Sequence, residues 1–209
     1  MRVDSQTVLA GALVLYALFL GVGSANLYAG GLLKTSQSFE VVASAIYIGI
    51  LALAYLIYHG VYDMSATIGS YEDADIRKTG LWVAIGTVIL FVLYLFHSQM
   101  PFSSLYAQTV LNLIYIAPIF IALAENMGLI AVVGDYVYDR TRNMFVAATV
   151  VGLVAIALHA TVPLVVPGFS FAVLFVQFFL WTVASIESRS TLPADIMHVV
   201  NNAVFLLGV

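Results

Sequence analysis

The fold class that the sequence predicts is all-α: a polytopic transmembrane helical bundle of about seven spans, with the N-terminus cytoplasmic. Three observations predict it. Of the 209 residues, 63% are hydrophobic and only 9% charged, where a soluble domain carries roughly a quarter charged; the mean hydropathy is +1.05. The seven Lys and Arg residues (Arg2, Lys34, Arg77, Lys78, Arg140, Arg142 and Arg189) all fall outside long apolar runs or at their ends. When the loops are numbered from the N-terminus, Lys34 stands alone on one side and the other six on the opposite side, the asymmetry of the positive-inside rule. Residues 1–209 therefore read as a single integral membrane domain, multi-pass in the cell membrane, with lipid as its immediate surroundings. The net charge of −4 and the lack of a basic stripe exclude nucleic acid as a partner. The absence of Cys excludes disulfides, Fe–S clusters and a thiol nucleophile.

The predicted spans follow in order. The first covers about residues 8–27; Gly23 and Ala25 resemble a signal-peptide cleavage site, but the run is taken as a span. The second covers about 41–61 and the third about 81–97, separated by a polar, acidic loop at about 63–79 with Arg77 and Lys78 beside the membrane. The fourth begins near residue 105 and runs past 130. The fifth covers about 145–166, the sixth 169–186 and the seventh 193–209. Most have the ~20 residues that a bilayer requires. Ser190 or Thr191 suits the N-cap of the last span, Pro193 its first turn, and Asp195 the positive end of its dipole. Tyr58, Tyr62, Trp82, Tyr136 and Tyr138 near span ends fit interfacial belts.

Ionisable residues inside spans are costly and mark functional sites. Glu125-Asn126 lies in span four, with Pro118, Ala122, Glu125 and Gly128 on one helical face. Its structural alternative is a protonated carboxyl hydrogen-bonded between helices. His159 closes a strip of small residues, Ala148, Gly152 and Ala155, in span five, where helices approach closely; a carbonyl partner is the alternative. His198 shares a face of span seven with Asp195 and Asn202, with Asn201 adjacent; interhelical hydrogen bonding is the alternative. His59 and His97 sit at span ends, where an imidazole is comfortable at an interface. Glu125 and His159 are equidistant in sequence from Arg142, in the turn at 139–143. Two antiparallel helices leaving one turn bring such residues to the same depth, so they are predicted to face each other. His198, just past Arg189, is predicted to join them in the cytoplasmic half.

A carboxylate, two imidazoles and an amide suit hydrolysis. Glu125 would act as general base on a water that His159 holds, with His198 and Asn202 donating to an oxyanion. No Ser–His–Asp arrangement or HExxH is evident. Zinc on two His and a Glu is possible but not favoured over a site without cofactors.

These residues carry a resemblance. The stretch from Glu187 to Ala203, in which a polar turn leads through Pro193 to a helix bearing His198 and Asn202 as HxxxN, resembles the last motif of the CPBP family, the CAAX-protease and bacteriocin-processing membrane proteins. Val151 to His159 resembles its middle motif, FxxxH, and Ala117-Pro118 followed by Glu125 resembles its first, EExxxR. The resemblance covers residues 115–207, in a family-like core of about 105–209. Asn126 stands where the second Glu is expected, Ile130 at the Arg and Ala155 at the aromatic position. The family implies a glutamate-dependent intramembrane endopeptidase with Glu125, His159, His198 and Asn202 as catalytic residues, acting on a membrane-bound peptide or protein. The departures raise the alternative of an inactive member of the same fold, serving as a scaffold or subunit of a protein partner. A bis-His haem or quinone site on His159 and His198 is a further class.

Overall fold

A computed structural model describes residues 4–23, 26, 37–61, 67–68, 71–96, 117–160 and 170–207. Every regular element among them is helical: α1 (Ser5–Leu18), α2 (Gln37–Val61), α3 (Ile76–Phe96), α4 (Ala117–Glu125), α5 (Asp135–Thr141), α6 (Met144–Leu158), α7 (Phe171–Ser188) and α8 (Leu192–Leu207). Among the described residues, four helices are long and apolar enough to cross a membrane, Ser5–Gly23, Ile76–Leu93, Ile119–Thr141 and Phe171–Ser188, and two shorter apolar ones are Ile46–Tyr58 and Met144–Leu158. The start of the predicted fourth span, the end of the fifth, and Arg2, Lys34, Tyr62 and His97 lie outside the described residues, as does the side chain of His59.

Several boundaries differ from the sequence expectation because polar side chains cap the helices. Asp4 caps α1 by accepting the Thr7 N–H at 2.8 Å, so the first helix begins before the apolar run does. The helix then widens into a π turn at Phe19–Gly23. Asp75 accepts the N–H groups of Arg77 and Lys78, each at 3.1 Å. Those two cations therefore lie in the first turn of α3 and not in the preceding loop. The turn expected at 139–143 narrows to Arg142 and Asn143. Arg142 adopts a left-handed conformation, φ 52°, and Asn143 caps α6 through the N–H groups of Phe145 and Val146. Arg189, φ 61°, ends α7 in the same way, a position that usually favours Gly.

The middle of the bundle is one continuous rod, in which α4 and α5 are joined by a π-helix at Asn126–Gly134. Nearly all of that segment is buried. Leu129 and Ile130 pack with Val151 of α6 and with Phe178 and Trp181 of α7, while Val132 and Val133 pack with Leu51 and Tyr58 of α2. The small-residue strip on α6 works as its spacing predicts. Ala148 and Ala155 are fully buried, and a Cβ on Gly152 would collide with the Phe175 ring, which lets α6 and α7 pack closely along their length. A Cβ on Gly21 would overlap the Ala157 carbonyl oxygen, so the end of α1 rests directly against the end of α6.

Candidate functional site

Glu125 is the last residue of α4, at the point where the rod widens into the π-helix; such widenings recur at functional sites. Its carboxyl is buried, 5% exposed. Nε2 of His159 lies 3.8 Å from one of its oxygens, and Nε2 of His198 lies 3.7 Å from the other. The three residues that the sequence nominates from separate spans thus converge on one point. The pairing of Glu125 with His159 follows from their equal distance from the Arg142 turn. His159 itself sits at the C-cap of α6, not within the helix as expected, and is half-buried.

Tyr47, on α2, donates to Glu125 Oε1 at 2.8 Å. Nothing in the sequence singles it out, because its partner is 78 residues away. His159 Nδ1 faces the Ala155 carbonyl at 2.9 Å. A carbonyl only accepts, so Nδ1 carries a hydrogen, and in the neutral ring Nε2 presents the lone pair to Glu125. His198 is held by stacking on Trp181, with ring centroids 4.3 Å apart, and by the edge of Phe178 at 5.6 Å. Its Nδ1 lies 3.2 Å from Oδ1 of Asn126. Asn126 Nδ2 donates to Asp195 Oδ1 at 2.8 Å, and the Tyr71 hydroxyl donates to Asp195 Oδ2 at 2.7 Å.

Two residues therefore have roles that the sequence did not suggest. Asn126, a departure from the EExxxR pattern, links His198 to Asp195 and is fully buried. Asp195, expected to complement the helix dipole of α8, is buried and bonded to side chains. Tyr71, outside the apolar helices, is half-exposed, but its hydroxyl end is held above its ordinary range, first by desolvation and then by the charge of Asp195.

Asn202 lies one turn beyond His198 on α8, half-buried, and its Oδ1 faces Asn201 Nδ2 at 3.4 Å. Asn201 in turn accepts from Gln177 Nε2 at 2.8 Å. Among the described residues, no group of three His, Asp, Glu or Cys is arranged to hold a metal ion.

The separations of 3.7 and 3.8 Å exceed a direct hydrogen bond and are of the length that one bridging water spans. A buried carboxyl flanked by two imidazole nitrogens can take a proton from such a water and pass it on. No family model matches the chain, and no curated protein and no solved structure matches it.

Proposed function

We propose that the chain is a membrane-embedded hydrolase, an intramembrane peptidase of the kind that the CPBP resemblance implies, acting on a membrane-bound peptide or protein. The observation that carries this reading is the convergence of His159 and His198 Nε2 on the two oxygens of Glu125. Glu125 takes a proton from water as the water oxygen attacks the scissile carbonyl. The proton passes to Nε2 of His198, which turns from acceptor to donor and serves the oxyanion and then the leaving amine, with Asn202 as a second donor. His159 holds the attacking water. No cofactor is needed in this scheme.

In the same reading the chain crosses the cell membrane seven times, with the N-terminus cytoplasmic. The supports are the six-to-one division of the basic residues and the helices that accompany the four long apolar ones.

The test is cleavage of a membrane-anchored peptide library by the reconstituted chain and by Glu125→Gln. Loss of a general base lowers the rate by about 10²–10⁴-fold; equal cleavage by both proteins removes the assignment. A second reading, an inactive scaffold of the same fold, is favoured by one observation. Ile130, at the position of the motif's Arg, is fully buried in the apolar core, which leaves that Arg no counterpart. The scaffold reading predicts no cleavage by the wild type and a partner that copurifies undiminished with Glu125→Gln.

A further inference from the structure

We propose that Asp195 is a positioning residue that selects the tautomer of His198 through Asn126, and so keeps the Nε2 lone pair turned toward Glu125. The proposal deepens the hydrolase reading and rests on it only for its consequence for rate.

The chain of bonds has a direction. An Asn side chain has one accepting end and one donating end, and its orientation is fixed by its partners. The Asp195 carboxylate accepts from the Tyr71 hydroxyl at 2.7 Å through one oxygen. Its other oxygen lies 2.8 Å from Asn126, so the Asn126 atom that faces it is the donating Nδ2. The accepting Oδ1 is thereby left to His198 Nδ1 at 3.2 Å. The ring must place its hydrogen on Nδ1, and the lone pair on Nε2 faces Glu125 Oε2 at 3.7 Å.

Turning the amide over would set its oxygen against the carboxylate of Asp195, two acceptors at hydrogen-bond distance. Without that carboxylate the reversed amide is allowed. Asn126 would then donate to Nδ1, the ring hydrogen would move to Nε2, and His198 could no longer take a proton there. His159 supplies an internal control. Its tautomer is set separately, by the Ala155 carbonyl at 2.9 Å, so changes at Asp195 should leave it alone.

The experiment is ring-¹⁵N NMR of the full chain, labelled at histidine and held in lipid nanodiscs at a pH where the imidazoles are neutral. The chain has four His, and His198→Gln and His159→Gln identify the two resonance pairs of interest. In the wild type, His198 should show a protonated Nδ1 and a bare Nε2. Asp195→Leu should turn that pattern into a mixture or reverse it, with His159 unmoved. Asp195→Asn should also release the tautomer, because the single amide oxygen can accept from the Tyr71 hydroxyl and its NH2 then faces Asn126 and allows the reversed amide. Where Asp195→Leu does not fold, Asn126→Leu removes the same link and should release the same tautomer. A wild-type His198 protonated at Nε2 overturns the proposal, and so does a folded Asp195→Leu or Asn126→Leu with the wild-type pattern. Cleavage by Asp195→Leu and by Asp195→Asn should fall about tenfold or more. If the tautomer pattern holds while the wild type cleaves nothing, the hydrolase reading fails and the positioning role stands.

Discussion

A buried carboxyl in an apolar bundle is expensive, and the Tyr47 hydroxyl offsets part of that cost. Tyr47 gives it a donor at 2.8 Å, and two imidazoles lie just beyond direct bonding distance. Tyr47→Phe removes the donor while keeping the ring that stacks near Tyr16. The variant should lose about 1–3 kcal/mol of stability, the cost of leaving a buried polar group with one partner fewer. Thermal unfolding in detergent checks this, and a loss below about 0.5 kcal/mol would show that Glu125 finds another partner. Glu125, His159 and His198 were legible in the sequence because ionisable residues stand out against apolar runs and because Arg142 fixes the depth of two of them. Tyr47 was not legible, since an aromatic residue in an apolar helix carries no local mark of a distant partner. Asn126 was visible only as a motif departure, because its role depends on Asp195, 69 residues away.

At the scale of elements, the apolar runs located the helices, and capping side chains set where they begin. Asp4 shows the energetic side of this. The Thr7 N–H, then the Arg140 guanidinium and the Thr7 hydroxyl, hold its carboxyl down at about 2, from an ordinary 3.8. The folded value lies below the ordinary one, so the stabilisation is complete above 3.8 and is lost as the pH falls through about 2. As the pH approaches about 2 the first turn of α1 should come away from Arg140 on α5. Hydrogen exchange of the amides of residues 5–8 should accelerate there, and in Asp4→Ala it should be fast already at neutral pH. Arg142 makes the complementary point. A non-Gly residue in the left-handed region costs roughly 1–2 kcal/mol, and the exposed pair of Arg142 with Asp139, at 3.2 Å, returns little of it. Arg142→Gly should therefore raise stability by about 1 kcal/mol, read as a higher midpoint of unfolding. The sequence gives no local warning of this conformation, because Arg at a helix end ordinarily reads as a partner for the helix dipole.

Why a strained Arg occupies each of two turns is a question for the whole molecule. Arg142 and Arg189 both adopt left-handed caps, where Gly would be less strained, and both belong to the six basic residues that the positive-inside rule places on one side. On the proposed topology, local stability and orientation ask for different residues at these turns, and the chain carries the ones that serve orientation. On the proposed seven-span arrangement the Arg142 and Arg189 turns face the cytoplasm, and residue 209 lies outside. A reporter that is active only in the cytoplasm should stay silent after Val209 and become active when inserted between Arg142 and Asn143. Arg142→Gly and Arg189→Gly combined should weaken that orientation, so that a fraction of the chains shows the C-terminal reporter active, even though each substitution relieves backbone strain. A fully active C-terminal reporter on the unaltered chain would reverse the orientation. A silent reporter in both the unaltered chain and the double variant would mean that Arg2, Arg77, Lys78 and Arg140 are sufficient to set it.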